Sequence, residues 1–276
     1  MPSNKSAQPE ADLLPFAPIS LEEMDATARM MKRVDRKYLL SHAEATRLLA
    51  NMPQATRVLT ISGQFWQHYR TSYLDSSAWG SYYTAAYKRR RRYKVRMRNY
   101  VNSGLAFLEV KTRGPRKTTV KDRMPIPVEC VYGDTVPEPC LPWLEATLSD
   151  RCVDVDTSDL HPTLKNEYWR ATLKPPGVGR TTIDTSLAWK SARGGALSGF
   201  DLVFVETKSG ASPSVVDKIL WSHGHRPLRV SKFGTGLAVM HPELPANKWL
   251  PAIRKFQAAG GAEPAGARPG ARGAAR

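Results

Sequence analysis

Short runs of alternating apolar and polar residues occupy most of the chain, and this alternation is typical of β-strands joined by turns. The pattern predicts strands over residues 35–40, 67–75, 92–100, 105–113, 117–126, 167–174, 179–189, 200–208 and 227–234. Helical patterns cover residues 20–31, 41–52 and 212–224, and the first two begin at Ser20 and Ser41, which are good helix caps. Many strands with helices at intervals predict an α+β fold, either a barrel or a sandwich decorated by helices.

The two ends of the chain lack this pattern. Residues 1–19 are Pro-rich and polar, and residues 257–276 consist mostly of Gly, Ala, Pro and Arg. We therefore expect disorder at both ends and one folded domain over residues 20–256. No apolar run has the length of a membrane span, and the N-terminus does not resemble a signal peptide. The sequence thus predicts a soluble, cytoplasmic protein.

Positive charge dominates the composition. The chain has 41 Lys and Arg residues against 25 Asp and Glu, a formal net charge of +16. Such an excess favours a polyanionic partner, which could be a nucleic acid, a membrane surface or a polyphosphorylated small molecule; the alternative is a solvated basic surface. The 3 cysteines have no paired spacing, which argues against a disulfide framework and against a structural zinc site.

The cations recur at every second position of the predicted strands. Within residues 92–100, Lys94, Arg96 and Arg98 share one face, and the residues between them are mostly apolar. The same alternation places further charged residues on one face of other strands: Glu109, Lys111, Lys121, Arg123, Arg170, Arg180, Glu206 and Lys208. One such strand is typical of any antiparallel sheet with a solvated face. Repetition over several strands favours a barrel with its polar face inward and helices outside.

A lumen lined by cations needs a counterion. Two like charges ~8 Å apart repel by roughly 2 kcal/mol at an effective dielectric constant of about 20. A phosphate chain would neutralise such a row along its length, and the planar fork of Arg can hold two phosphate oxygens at once. Residues 88–92 form a basic run that could instead bind nucleic acid. The inward phase of the strand cations favours a tunnel, so we expect no nucleic-acid partner.

An ordered set of motifs carries a resemblance to a known family. The motifs are DRKYLL, TSYLDS, YKVRMRNY, FLEVKTRG, TVKDRMPI, YWRA, GRTTIDTSL, FVETKSG and VSKFGTG. In this order they resemble the VTC-type polyphosphate polymerases, within the CYTH-like triphosphate tunnel metalloenzymes. The resemblance implies an eight-stranded antiparallel β-barrel that forms a basic tunnel. It also implies transfer of the terminal phosphate of ATP to a growing polyphosphate chain, with Mn²⁺ or Mg²⁺ as cofactor.

The resemblance also implies roles for individual residues. The catalytic positions would be Arg96, Arg98, Lys111, Arg170 and Arg180. Further substrate-binding positions would be Lys37, Lys94, Lys121, Arg123, Lys208 and Lys232. Glu206 would be the metal ligand, because a carboxylate on a cationic face suits an ion that bridges phosphate oxygens. The alternative is that Glu206 serves only as a salt-bridge partner for a neighbouring Arg.

The chain departs from the family pattern at two places. Phe107 stands where the hydrolase and cyclase branches carry the first Glu of Glu-x-Glu-x-Lys, which disfavours a hydrolase of tripolyphosphate or nucleoside triphosphates. After Lys232, Phe233 and Gly234 stand where the family often has a second basic residue. A non-catalytic module that binds polyphosphate or inositol phosphates is another alternative. The retained Glu206 favours an enzyme, since a simple binding module needs no metal.

Overall fold

A computed structural model describes residues 16–28, 34–114 and 118–260. Within these residues the strands are β1 Ala17–Ile19, β2 Val34–Leu40, β3 Arg57–Leu59, β4 Gln67–Asp75, β5 Tyr93–Tyr100, β6 Leu105–Arg113, β7 Thr119–Ile126, β8 His161–Lys174, β9 Arg180–Ser191, β10 Ala196–Leu197 and β11 Val203–Ser209. The α-helices are α1 Leu21–Ala28, α2 His42–Ala50, α3 Gly80–Ala86, α4 Leu141–Asp150, α5 Val215–Ser222, α6 Lys232–Met240 and α7 Leu250–Ala258. None of these helices is long and apolar enough to cross a membrane.

Eight strands form one antiparallel path in the order β2-β11-β9-β8-β4-β5-β6-β7. The other strands attach to it: β10 pairs with β9, β3 pairs with β8, and β1 pairs with β3 in parallel. This confirms the predicted α+β fold with its eight-stranded antiparallel core. The two end strands, β2 and β7, do not pair with each other over their described residues. The sheet is therefore open, and the expected closure into a barrel is not observed.

The sheet is strongly curved. Lys94 of β5 donates from Nζ to Ser231 Oγ at 2.8 Å, and Ser231 lines the same cavity as Lys37 of β2. Five strand spacings separate β2 from β5, which would be about 24 Å in a flat sheet. Both strands reach Ser231 only because the sheet curls. The face that carries Lys37 and Lys94 is therefore concave.

Apolar side chains on the convex face pack against α2, α4 and α5. Val95 and Leu108 form one core with Leu144 of α4, and Val205 forms another with Leu48 of α2. Helix α2 begins at the predicted cap Ser41, whose hydroxyl accepts from the backbone N–H of Glu44 in a capping box. Ser20 makes the same reciprocal pair with Glu23 before α1. Serine capping and apolar spacing therefore predicted these helices correctly.

The predicted strand over residues 227–234 is wrong. Residues 227–231 form a connection, and α6 begins at Lys232, with the Ser231 hydroxyl accepting from the backbone N–H of Gly234. Glycine lowers helix propensity by about 1 kcal/mol, so Gly234 and Gly236 hide this helix in the local pattern. The expectation that all helices pack outside is also wrong, because α6 packs on the concave face with Phe233 against Tyr73.

The boundaries expected for the folded domain also differ from the structure. Phe16 is buried and β1 pairs with β3, although both lie in the segment expected to be disordered. At the other end α7 continues to Ala258, past the expected boundary at residue 256. The disorder expected for residues 1–15 and 261–276 concerns positions outside the described residues. Residue 117, the first of the strand predicted over residues 117–126, also lies outside the described residues.

Substitution of Gly234 by Ala should destabilise the protein. A Cβ at Gly234 would lie 2.3 Å from the Trp249 ring, which is itself buried. We expect overpacking to cost about 1–3 kcal/mol in the free energy of unfolding, whereas helix propensity alone would predict a gain of about 1 kcal/mol. Urea unfolding measures the difference. Gly133→Ala is the control, because a Cβ there would lie no closer than 3.4 Å to any atom beyond the adjacent residues, the nearest being the Cys130 carbonyl oxygen. A stabilised Gly234→Ala variant would contradict this packing of α6.

Candidate functional site

Strands β5, β6 and β7 place a block of cations on the concave face. Directly opposite residues of antiparallel strands project from the same face, so they form rows across the sheet. The two rows are Lys94, Lys111 and Lys121, followed by Arg96, Glu109 and Arg123. Arg98 continues the block opposite Phe107, and the guanidinium of Arg123 lies 4.7 Å from the centre of the Phe107 ring. The structure thus brings together the predicted residues of these three strands.

Glu109 is the buried counterion of this block. Its side chain is 0% exposed, accepts from Arg96 Nε at 2.6 Å and forms an ion pair with Lys121. Burial opposes ionisation, but the positive charges of Arg96, Arg98 and Lys121 outweigh it and hold the pKa of Glu109 below its usual value. Glu109 therefore remains an anion that neutralises part of the block.

Two cations of the block keep donors available for a ligand. The ammonium group of Lys111 makes no hydrogen bond or ion pair with a described residue. Arg98 donates from Nε to Thr71 Oγ1 at 3.1 Å, and its terminal nitrogens make no hydrogen bond or ion pair with a described residue. Repulsion from Arg96 and burial hold the pKa of Lys111 well below its usual value. An anion bound here would reduce the repulsion and would supply hydrogen-bond acceptors for these donors.

A second block surrounds Glu206 of β11. Lys37 of β2 donates to Glu206 at 3.1 Å, and Lys208 lies 3.9 Å from the same carboxylate. Burial opposes the charged carboxylate, but Lys37, Lys208 and Arg170 together hold the pKa of Glu206 below its usual value. The contacts therefore make Glu206 a salt-bridge residue with two lysines, and a role as metal ligand would have to be additional.

Asp184 of β9 is a site residue to which the sequence analysis gave no role. It is buried, accepts from Arg170 at 2.6 and 2.8 Å, and forms an ion pair with Lys232. Its position in phase with Arg180 was the available signal. Because two parallel hydrogen bonds fix a guanidinium plane, Asp184 orients Arg170 on the concave face. Lys232 lies on α6 and not on a strand, so it reaches Asp184 from a different element than the sequence predicted.

Arg180 lies at the rim of the site. It pairs with Asp25 of α1 at 3.6 Å and lies opposite Lys208 in the sheet. The preceding residue, Gly179, has a φ of +109°, and a Cβ there would lie 2.1 Å from the carbonyl oxygen of Lys208. Only glycine permits this approach, so the turn between β8 and β9 holds Arg180 beside Lys208.

Several buried polar atoms on the concave face have no hydrogen-bond partner among the residues that the structure describes. They include Tyr168 Oη, Thr182 Oγ1 and both amide atoms of Asn166. Asn166 lies opposite Thr71, and Tyr168 lies opposite Tyr69, so these groups adjoin Arg98 and Arg170. Buried polar groups without partners are rare in folded proteins and often mark a site for water or a ligand. The face therefore offers neutral donors beside its cations.

Three carboxylates form ion pairs with cations of the concave face and could ligate a divalent cation. Their side chains are 0% exposed for Glu109, 3% for Asp184 and 19% for Glu206, which makes Glu206 the most accessible. In the part of the chain that the structure describes, no three Asp, Glu, His or Cys residues form a cluster that could hold a metal. A single accessible carboxylate fits a cation bound mainly through substrate phosphates, which is the usual mode for Mg²⁺.

These features together define an α+β protein with a basic, concave face on an antiparallel sheet. A family model described as the VTC domain matches residues 32–241. The chain therefore belongs to the VTC domain family, as its ordered motifs predicted.

A comparison with solved structures found similar chains of low sequence identity. A putative adenylyl cyclase from Hippeastrum, described as having a dominant triphosphatase activity, is 15% identical, with 79% of this chain and 100% of that chain covered and a TM-score of 0.48. A protein from Pyrococcus horikoshii OT3 is 13% identical, with 74% and 98% covered and a TM-score of 0.41. No curated protein matched the sequence.

Removal of the Arg98 guanidinium should weaken the binding of tripolyphosphate. A charge-assisted hydrogen bond typically contributes about 1.5–3 kcal/mol, so Arg98→Ala should lose roughly ten- to a hundredfold in affinity. Isothermal titration calorimetry measures the loss. Arg47→Ala is the control, because Arg47 is an exposed residue of α2 on the convex side. Equal losses in the two variants would show that net charge, and not the concave face, determines binding.

Buried lysines should make the protein less stable at neutral pH than at alkaline pH when no anion is bound. Burial lowers the pKa of Lys94 to about 7 and those of Lys208 and Lys232 to about 8, against 10.5 for a free lysine. Between about pH 7 and 9.5 the unfolded chain therefore binds more protons than the folded protein, and the free energy of unfolding should rise with pH. Thermal unfolding across this range measures the trend.

Tripolyphosphate should reverse this trend, because a bound anion favours the protonated lysines. Its stabilising effect should be larger at about pH 7 than at about pH 9.5. Lys94→Arg retains a charge that does not titrate in this range, so the variant should show a weaker pH dependence. The ligand's own ionisation affects both proteins equally, so the difference between them isolates the contribution of Lys94. An identical pH dependence in the two proteins would show that Lys94 does not titrate near neutral pH.

Proposed function

We propose that this protein is a metal-dependent polyphosphate polymerase, which transfers the terminal phosphate of ATP to a growing polyphosphate chain. The observation that carries the proposal is a pair of cations, Lys111 and Arg98, on the concave face of a VTC-family chain, which have donors without a partner among the described residues. Phosphoryl transfer depends mainly on alignment and on neutralisation of negative charge. A surface of fixed cations without a strong nucleophile is suited to that reaction.

Each group of residues has a distinct task in the proposed reaction. Arg96, Arg98 and Lys111 bind phosphate oxygens of the two substrates, and Arg170, oriented by Asp184, binds from the facing strands. The bond between the terminal phosphorus of ATP and its bridging oxygen breaks, and a terminal oxygen of polyphosphate bonds to that phosphorus. ADP leaves with the bridging oxygen.

Glu206 is the residue that would hold a divalent cation, Mn²⁺ or Mg²⁺, together with phosphate oxygens. When bound, such an ion supplies charge neutralisation and alignment of the phosphates. Lys37 and Lys208 already pair with Glu206, so they would exchange part of this contact for phosphate oxygens as the substrate binds.

One observation favours a second candidate, a non-catalytic polyphosphate-binding module. Lys37 donates to the Glu206 carboxylate at 3.1 Å and neutralises its charge, and a binding module needs no more than that. A third possibility, hydrolysis of tripolyphosphate or nucleoside triphosphates, is disfavoured by Phe107, which stands in place of a second acidic residue.

Incubation of the purified protein with ATP and Mn²⁺ distinguishes the three functions. A polymerase yields ADP and a polymer that is visible on a gel, and a hydrolase yields free phosphate without polymer. A binding module yields neither, although it retains polyphosphate binding. Absence of polymer under these conditions would reject the proposed function.

Glu206→Gln should abolish metal-dependent turnover while polyphosphate binding is retained or becomes tighter. The substitution removes the accessible carboxylate and also removes one negative charge that repels the anion. ADP release measures turnover, and calorimetry without metal measures binding. Glu129→Gln is the matched control, since Glu129 is exposed in the connection after β7. Turnover of Glu206→Gln at the wild-type rate would leave Glu206 with a salt-bridge role only.

A further inference from the structure

A cavity of about 270 Å³ lies between β2 and the connection at residues 227–231, next to the start of α7. The side chains that matter for its chemistry are those of Lys37, Arg229, Ser231, Lys248 and Trp249. This cavity contains none of the arginines of the β5 and β8 strands. It adjoins the second block, with which it shares Lys37.

The cavity is strongly basic. Lys37, Arg229 and Lys248 contribute positive charge, and Asp35 is the single acidic residue of its lining in the described chain. Arg36 also borders the cavity, but its guanidinium binds Ser209 and Asp217 on the opposite face of β2. The charge of Arg36 is therefore not available to a ligand in the cavity.

Arg229 has no role in holding the fold together. It is exposed and makes no hydrogen bond or ion pair with any residue that the structure describes. Lys248, by contrast, donates to the carbonyl oxygen of Ala85 at 2.6 Å and lies 5.1 Å from the centre of the Trp249 ring. The lining of the cavity thus combines one unconstrained guanidinium with one positioned ammonium group.

Two residues connect the cavity to the concave face. Lys37 lines the cavity and binds Glu206 at 3.1 Å, so it belongs to both places. Ser231 lines the cavity and accepts from Lys94, whose neighbour in the row is Lys111. An anion that extends along the concave face past Lys94 therefore enters the cavity without leaving basic surroundings.

Basic surface also continues beyond the cavity. Burial and the nearby charges of Arg92, Lys88 and Arg229 lower the pKa of Lys248 to about 8. The run at residues 88–92, whose role the sequence did not reveal, thus lies near Lys248. A series of cations therefore leads from the block on β5, β6 and β7 through Lys94 and the cavity to residues 88–92.

We propose that this cavity is a separate phosphate subsite, which binds the part of a polyphosphate chain that extends past Lys94. The inference rests on the proposed function for its ligand class, an inorganic polyphosphate. A tripolyphosphate that occupies Arg96, Arg98 and Lys111 needs no contact with Arg229. Longer chains gain that contact, so the affinity of the protein depends on chain length through the cavity.

The test measures the binding of polyphosphates of increasing, defined length to the wild type and to two variants. The variants are Arg229→Ala and the double variant Arg229→Ala/Lys248→Met. Fluorescence anisotropy, in the absence of ATP and metal, measures the dissociation constant of each polyphosphate. For tripolyphosphate we expect dissociation constants within about twofold of the wild type. For long chains we expect a loss of about fivefold for Arg229→Ala, as is typical for a partly exposed ion pair, and a larger loss for the double variant.

The control is the double variant Arg47→Ala/Lys218→Ala, which removes the same charge from exposed positions of α2 and α5 on the convex side. It should not reduce the dependence on chain length. Three results would overturn the inference: an unchanged chain-length dependence in the cavity variants, an equal loss for tripolyphosphate, or an equal loss in the control. Because the assay involves no turnover, a protein that makes no polymer can still show the chain-length effect. Failure of the polymerase proposal is thereby distinguished from failure of this one.

Discussion

Repulsion among cations dominates the energetics of the concave face. Arg96, Arg98 and Lys111 lie on two adjacent strands, and repulsion from Arg96 is the largest influence on the pKa of Lys111. Two buried carboxylates, Glu109 and Asp184, each hold two cations in place. They reduce the repulsion without filling the site, because the ammonium group of Lys111 still lacks a partner among the described residues.

Apolar packing on both sides of the sheet makes this arrangement possible. Helices α2, α4 and α5 cover the convex face, and α6 and α7 bury one part of the concave face around Phe233 and Trp249. The free energy gained by this burial offsets the cost of desolvating the cations. Because α6 begins beside the site, it also delivers Lys232 and Ser231 to the charged region. A helix that completes a core is therefore also part of the site.

The concave residues could be predicted from sequence because strand alternation is a local property with a period of two residues. That rule alone predicted the common face of Lys94, Arg96 and Arg98. The register of the sheet extends it to the residues opposite them on β6 and β7. Features that depend on distant contacts could not be predicted in this way. Helix α6 tolerates Gly234 only because Trp249 packs there, and β1 forms only because β3 is available as a partner. The open sheet edge also follows from tertiary geometry alone.

The role of Asp184 shows where the sequence was informative but insufficient. Its phase with Arg180 placed it on the correct face, but its contact with Arg170 depends on the pairing of β8 with β9. Its contact with Lys232 depends on α6, which the local pattern hid. An acidic residue on a basic face can ligate a metal or orient a cation, and burial decides between these roles. Glu206, at 19% exposed, remains accessible, whereas Asp184, at 3%, is enclosed by its partners.

The mixture of arginine and lysine divides the concave face by its response to pH. Arginines such as Arg96, Arg98 and Arg170 stay charged at any physiological pH. Burial lowers the pKa of Lys94 to about 7 and those of Lys208 and Lys232 to about 8, so the charge of these lysines depends on their surroundings. A bound polyanion raises such pKa values, which means that anion binding and proton uptake are linked. The arginines thus provide a permanent attraction, and the lysines add charge only when an anion is present to stabilise it.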